Sequence, residues 1–210
     1  MERNHRLLLA AGVAVPVVYY ANLLVCSLLY PGYDHARQWV SELGSASARY
    51  PGVFNGVLVL LGLLGVAAGP GFGWALLRHG AGRAVSVLVA LLVAGFGVAM
   101  AMGGIFPMPD PRHNGFGLAI GLLLVPPLMA WGLRRRPELR GLRIFVVANW
   151  VAMAVLFVIL MGVGELVTRA NVGLWQRAFS LTMFPWLGIA AWVLMPRRDA
   201  QPAARLATAG

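Results

Sequence analysis

Six long apolar stretches, separated by short polar segments, dominate the pattern of residues along the chain. Each stretch is long enough, at about 1.5 Å of rise per residue, to cross the roughly 30 Å hydrocarbon core of a bilayer as an α-helix. Lipid offers no partners to backbone N–H and C=O groups, so a helix is the expected structure. The pattern therefore predicts an all-α, polytopic bundle of six transmembrane helices. We place these helices at residues 7–29, 53–77, 84–105, 115–133, 144–163 and 178–195.

The composition agrees with a chain that is solvated by lipid. Hydrophobic residues make up 60% of the sequence and charged residues 11%, whereas a soluble domain carries about 25% charged residues. So little polar surface cannot cover a water-soluble globule. We expect residues 1–195 to form one transmembrane domain. The Ala-, Pro- and Arg-rich segment 196–210 is expected to be a disordered cytoplasmic tail.

The arginines predict the orientation of the bundle. All 17 basic residues are Arg, and the formal net charge is +10. If the N-terminus lies inside, twelve arginines flank the helices on the inner side and five lie outside. The positive-inside rule then places both termini in the cytoplasm. Because the arginines cluster between apolar stretches, they indicate membrane topology rather than nucleic-acid binding.

The first outer loop, residues 30–52, has the most informative polar pattern. A Pro-Gly turn precedes Asp34, which stands at a plausible helix start. If residues 34–43 are helical, apolar and polar side chains separate onto two faces, and Gly44 ends the helix. The sequence therefore predicts a short amphipathic helix that lies on the bilayer surface or caps the bundle. Its polar face would carry Asp34, His35, Gln38, Ser41 and Glu42.

The second outer loop, residues 106–114, contains three prolines and two candidate metal ligands. Asp110 and His113, together with His35 of the first loop, are of the types that bind zinc or a similar divalent ion. No strong spacing signature supports such a site. The alternative is that Asp110 pairs with Arg112 while His113 caps the next helix. No cofactor other than such a metal is expected.

The third outer loop, residues 164–177, contributes the remaining candidates. Glu165 and Arg169 are four residues apart with the acid first, the favourable order for an ion pair on a helix. Gln176 and Arg177 stand at the start of the last helix. From there Arg177 could reach an acidic partner in the first outer loop or a lipid phosphate.

Glycines and prolines within the apolar stretches predict how the helices pack. Gly62, Gly65, Gly69 and Gly73 form a small-residue stripe, which lets helices approach closely within the bundle. Pro16 and the other prolines in these stretches should bend their helices. No phosphate-binding glycine loop and no Gly-x-Ser-x-Gly elbow occurs, which argues against hydrolases of the latter type. Cys26 is the only cysteine, so no internal disulfide can form.

Several short motifs resemble one bacterial membrane family, known as domain of unknown function 998. The resemblance rests on Tyr30-Pro31-Gly32-Tyr33-Asp34-His35, Val40-Ser41-Glu42-Leu43-Gly44, Asn55-Gly56, the Pro/Asp segment around Asp110, and Gly173-Leu174-Trp175-Gln176-Arg177. It extends over residues 7–194. The resemblance implies six helices and residence in a bacterial cytoplasmic (inner) membrane, that is, the plasma membrane. It supplies no activity, so no catalytic roles follow from it.

The polar residues of the outer side lead to three hypotheses. Four of seven acidic residues and two of four histidines lie there, which favours a non-enzymatic membrane protein with an outward-facing polar pocket for a lipid headgroup, small ligand or partner. The first alternative is a metal-dependent hydrolase that acts on lipid or ester bonds. The second is a small-solute permease. The candidate pocket residues are Asp34, His35, Ser41, Glu42, Asp110, His113, Glu165, Gln176 and Arg177.

Overall fold

The predicted all-α bundle of six spans is confirmed. The structure is a computed structural model, and it describes residues 2–196. Within them there are only helices and loops, and six segments are long and apolar enough to cross a membrane. The α-helices are α1 (Glu2–Leu28), α2 (Pro51–Arg78), α3 (Arg83–Ile105), α4 (Val125–Gly132), α5 (Arg140–Leu160), α6 (Val172–Met183) and α7 (Pro185–Leu194). Short 3-10 segments lie at Val40–Gly44, Pro111–Leu124, Pro137–Leu139 and Val163–Glu165. The predicted disordered tail lies, from residue 197 onward, outside the described residues.

The glycine stripe of α2 packs against α3, as predicted. A Cβ on Gly65 would lie 2.8 Å from the Cα atom of Gly97, and one on Gly73 would lie 2.9 Å from the Cβ atom of Ala90. Any side chain at these positions would force the helices apart. The stripe therefore serves packing within one chain.

The fourth span is not the continuous α-helix that was predicted for residues 115–133. Residues 111–124 form a 3-10 segment, and within it Gly115, Phe116 and Gly117 have φ angles of 56°, 52° and 77°. The close approach to α3 explains the turn, because a Cβ on Gly115 would lie only 2.7 Å from the Cα atom of Ala99. The left-handed conformation of Phe116 costs about 1–2 kcal/mol. The regular helix resumes at α4, whose prolines stand where no helical N–H is needed.

The last span begins earlier than predicted and bends in its middle. α6 starts at Val172 instead of residue 178, so the Gln176 and Arg177 side chains belong to a helix rather than to a loop. The two polar side chains are tolerated there because they meet the first outer loop at the outer end of the bundle. α6 ends before Pro185, whose missing N–H interrupts the helix, and α7 continues the span.

The two ends of the bundle are held by different contacts. At the end that contains the N-terminus, His5 stacks on Trp74 with ring centroids 3.9 Å apart. At the same end, Arg136 Nε donates a hydrogen bond of 2.8 Å to the carbonyl oxygen of His79. The opposite end carries the three predicted outer loops. The bundle thus places the candidate residues of all three loops at one end.

Candidate functional site at the outer end of the bundle

The first outer loop does not form the single amphipathic helix predicted for residues 34–43. Asp34 starts a short turn, in which its Oδ1 atom accepts a hydrogen bond of 2.8 Å from the Ala36 N–H. The backbone is then extended at Trp39, and a separate 3-10 helix follows at Val40–Gly44. The prediction was wrong because Glu42 accepts a hydrogen bond of 2.8 Å from the Trp39 N–H. This side-chain acceptor starts a second helix where the first was expected to continue.

The predicted division into a polar and an apolar side still holds in part. Val40 is 4% exposed and Leu43 1% exposed, so this side of the segment is packed onto the bundle. On the polar side Gln38 joins the two carboxylate residues. Its Oε1 atom accepts from the Asp34 N–H at 2.8 Å, and its Nε2 atom donates to Glu42 Oε2 at 2.9 Å. Both oxygens of Glu42 are therefore committed to the loop itself.

Arg177 fastens the first outer loop to α6. Its Nη2 atom donates to the Tyr33 hydroxyl oxygen at 2.6 Å, and its Nε atom donates to His35 Nδ1 at 3.1 Å. Its Nη1 atom donates to the carbonyl oxygens of Gln38 at 3.1 Å and Gly173 at 2.8 Å. All these partners are neutral, so the acidic partner considered from the sequence is not what Arg177 binds. The guanidinium acts as a clamp between two segments.

Backbone groups complete the junction between the loop and α6. The Ala36 carbonyl oxygen accepts hydrogen bonds from the Gly173 N–H at 2.8 Å and the Leu174 N–H at 3.3 Å. Both N–H groups are in the first turn of α6, where intrahelical acceptors are scarce; the Leu174 N–H also bonds the Asn171 carbonyl oxygen at 3.0 Å. Gln176 Oε1 in turn accepts from the Val40 N–H at 2.6 Å. The loop therefore caps the helix, and the helix holds the loop.

The geometry determines the protonation state of His35. Since the Arg177 Nε atom is a donor, His35 Nδ1 must accept, and the ring is neutral with its hydrogen on Nε2. Desolvation by the surrounding groups lowers the pKa of His35 from its ordinary value, and the Arg177 charge lowers it further, against an opposite effect of Asp34. A proton on Nδ1 would remove this contact.

The second outer loop shows the predicted Asp110–Arg112 pair. Arg112 Nη2 lies 2.6 Å from Asp110 Oδ2. Hydrogen bonds from the Arg112 side chain and backbone hold the pKa of Asp110 at about 2. His113 does not cap the next helix, because its Nδ1 atom lies 3.0 Å from the Phe106 carbonyl oxygen. That oxygen can only accept, so Nδ1 carries a hydrogen, and in the neutral ring Nε2 is the acceptor.

A small cavity lies beneath these loops and joins three of the predicted residues. Ser41 of the first loop, His113 of the second and Gln176 of α6 line a space of about 140 Å³. The rest of its lining comes from the first outer loop, the helices and the bend between α6 and α7: Val40, Tyr19, Phe54, Leu58, Ala99, Met100, Gly103, Met183 and Phe184. Ser41 Oγ also lies 3.0 Å from the Met108 sulfur, which links the first two loops. The cavity is mostly apolar, with polar groups from three separate segments.

The remaining candidate residues do not line the cavity; they are exposed or hold the structure of the loops. Glu165 is exposed, and no ion pair joins it to Arg169 among residues 2–196. The predicted i,i+4 pair was wrong because the segment is not a helix: Glu165 itself has a φ angle of 53°. Asp34, His35, Glu42 and Arg177 build the junction beside the cavity, and Asp110 pairs with Arg112.

The candidate metal ligands are not gathered into a metal site. In the described part of the chain no group of three His, Cys, Asp or Glu side chains is placed to hold a metal ion. His35, Asp110 and His113 are each engaged by a different partner: Arg177, Arg112 and the Phe106 carbonyl. The geometry gives the metal hypothesis no support.

Two kinds of residue escaped the sequence analysis. Tyr33 accepts from Arg177 and donates to the Trp39 carbonyl oxygen at 3.0 Å, so it is central to the junction. Its position after a Pro-Gly turn was a usable signal, although an aromatic residue there also fits a membrane interface. Tyr19 and the apolar lining carried no signal, because a transmembrane helix is apolar on its buried and its lipid-facing sides alike.

Comparison with known proteins adds a family but no activity. Searches among curated proteins and among solved structures find no match. A family model described as "Protein of unknown function (DUF998)" matches residues 13–193, which include all three outer loops and at least most of every span. On this match, and in agreement with the motifs noted in the sequence, the chain belongs to the DUF998 family.

Proposed function

We propose that this multi-pass membrane protein binds a small ligand in the outer cavity and is not an enzyme. The ligand would have a largely apolar body and one neutral hydrogen-bonding group. Ligand sites typically combine an apolar lining with a few convergent polar groups. The cavity that joins Ser41, His113 and Gln176 is the observation that carries this proposal.

The polar groups of the cavity favour a neutral ligand. Because Nδ1 of His113 donates to the Phe106 carbonyl, the neutral ring offers an acceptor at Nε2. The Gln176 amide uses its oxygen for Val40, which leaves its nitrogen as a donor. No carboxylate or guanidinium from residues 2–196 lines the cavity. A charged lipid headgroup would therefore find less compensation there than a hydroxyl or amide.

The size of the cavity also limits the occupant. An apolar cavity of about 150 Å³ in another protein takes up benzene, and the present cavity has about 140 Å³. Of the occupants considered from the sequence, a small molecule therefore fits better than a bulky headgroup or a protein segment. Binding is also favoured over catalysis by the commitment of Glu42 and Asp110 to structural hydrogen bonds.

The proposed orientation puts this cavity on the outside of the membrane. The inner end of the bundle collects most arginines, which supports cytoplasmic termini by the positive-inside rule. Residence in a bacterial inner membrane is part of the same proposal. The cavity would then face the extracytoplasmic side of the membrane.

Phenol and benzene are suitable probes, because they differ by one hydroxyl and match the volume. We expect the purified chain in detergent to bind phenol at least threefold more tightly than benzene in ligand-observed NMR titrations. Gly103→Val should abolish binding of both: Gly103 lines the cavity, and a Cβ there has no neighbour nearer than 3.6 Å, so the added side chain takes up space that the probe needs. His113→Phe should keep benzene binding and remove the preference for phenol.

The matched control is Gly56→Val, at an exposed glycine of α2 where an added Cβ would meet no atom within 4 Å. This variant should bind both probes like the unmodified chain. Unchanged phenol binding in Gly103→Val would refute the cavity as the binding site.

A further inference from the structure

A second concave surface lies on the lipid-facing side of the bundle, between α1 and α7. It is a groove of about 610 Å³, lined almost entirely by apolar groups. Pro16 of α1 and Gly188 of α7 touch at its floor, since a Cβ on Gly188 would lie 2.6 Å from Pro16 Cγ. Val17 and Trp192 are 66% and 69% exposed at its sides. The groove is therefore a fixed feature of two packed helices.

The groove continues to the end of the bundle that holds the N-terminus. A second cavity of about 290 Å³ is lined by Arg6, Val193 and Met195, and it shares Trp192 with the groove. The groove and this second cavity together form a continuous surface that is apolar along the groove and ends at the guanidinium group of Arg6. Trp192 lies where the two meet, a position at which tryptophan commonly marks the boundary between hydrocarbon and headgroups.

The length of this surface matches one leaflet. Arg6 and Tyr20 mark its two ends along α1. Fourteen residues of helix at 1.5 Å each separate them by about 21 Å. Half of a bilayer that includes its headgroup regions, about 40–45 Å thick in all, measures about 20–22 Å. An acyl chain that starts at the level of Arg6 can therefore follow the groove through its own leaflet.

We propose that this groove is a specific site for an anionic phospholipid of the inner leaflet. One acyl chain lies along Pro16, Val17 and Ile189, and the phosphate binds Arg6. Charge complementarity selects the anionic lipid, because a basic residue near the membrane surface favours it by about fivefold. This site is separate from the outer cavity and does not depend on its function.

Native mass spectrometry of the full chain tests the proposal. The protein is purified in detergent with equimolar phosphatidylglycerol and phosphatidylcholine. We expect one tightly retained lipid, with phosphatidylglycerol favoured about fivefold. Val17→Trp should lower retention of both lipids at least tenfold by filling the groove. Arg6→Gln should keep retention but reduce the preference for phosphatidylglycerol to near unity.

Two control variants carry the same changes at other lipid- and water-facing sites. Val151→Trp alters an apolar side chain that is 50% exposed on α5, and Arg135→Gln removes an exposed inner arginine. Both should retain lipid like the unmodified chain. Undiminished retention in Val17→Trp overturns the proposal, as does an undiminished preference in Arg6→Gln. If Val17→Trp instead converts a dimer to a monomer without loss of lipid, a second copy occupies the groove and the proposal fails.

Discussion

The first and third outer loops are similar in composition, but only the first is firmly attached to the bundle. Each contains an acidic residue, at least one arginine and apolar neighbours. The first loop buries Val40 and Leu43 and is bonded to α6 by backbone and side-chain groups. The third loop is exposed over residues 161–166 and 168–170, and its side-chain hydrogen bonds are local. Buried apolar side chains together with hydrogen bonds to α6, rather than charge pairs, fix a loop to this bundle.

The largest expected effect comes from removing the clamp that distinguishes the first loop. Arg177→Ala deletes the hydrogen bonds to Tyr33, His35 and Gln38. Hydrogen bonds to charged groups contribute about 1.5–3 kcal/mol each. Because these bonds are exposed or only partly buried, water replaces part of what is lost, and we expect the free energy of unfolding in detergent to fall by about 3 kcal/mol. The matched change in the third loop, Arg169→Ala, should stay within about 0.5 kcal/mol. Equal effects of the two variants would show that the loops do not differ in anchorage.

A smaller effect should follow from the acidic residues of the same two loops. Glu42→Ala leaves the Trp39 N–H and the Gln38 amide without their acceptor. Loss of such a cap costs about 1–2 kcal/mol, and proteolysis within residues 45–50 should become faster. Glu165→Ala removes an exposed side chain and should leave both the stability and the cleavage pattern unchanged. A stable, protease-resistant Glu42→Ala variant would contradict the structural role of that carboxylate.

One substitution in the third loop should stabilise the protein, unlike the changes in the first loop. Glu165 has a φ angle of 53°, a conformation that glycine adopts without a Cβ penalty. Glu165→Gly should therefore raise the free energy of unfolding by up to about 1 kcal/mol. Denaturant titration of the purified protein measures this change. A destabilised variant would mean that the Glu165 side chain has a role that its exposure does not reveal.

The smallest expected effect is a pH dependence of stability, and it should arise only in the first loop. The folded-state pKa of His35 is lowered, so below about pH 6.5 the unfolded loop binds more protons than the folded one. Stability of the junction is therefore greatest above this pH and declines as the pH falls. The imidazolium would face Arg177, with Asp34 as the opposing charge and Tyr33 against its ring.

Hydrogen exchange at the Gly173 amide reports on the junction, because this N–H bonds the Ala36 carbonyl oxygen. It is measured between about pH 7.5 and 5.5 to bracket the ordinary histidine pKa. After correction for the intrinsic dependence on pH, exchange should accelerate at the acidic end. His35→Phe should abolish this acceleration, and the amides of the third loop should not show it. Acceleration that persists in His35→Phe would assign the effect to another group.

The sequence was sufficient for the spans because hydrocarbon imposes length and apolarity on every one of them. It was insufficient where tertiary contacts decide the backbone. The turn at Gly115 exists because α3 approaches too closely for a side chain, and no local pattern encodes that distance. The early start of α6 depends on acceptors supplied by Ala36, far away in the chain. Ser41, His113 and Gln176 were identified by chemistry, but only the fold brings them to one cavity.

The bond between Val40 and Gln176 closes a loop of 136 residues, and this has a consequence for biosynthesis. At roughly 5–20 residues per second, the ribosome needs about 7–27 s to reach Gln176 after it has added Val40. During that interval the first outer loop lacks the partner that holds it. The first outer loop can therefore form its contacts with α6 only after the last span has been synthesised.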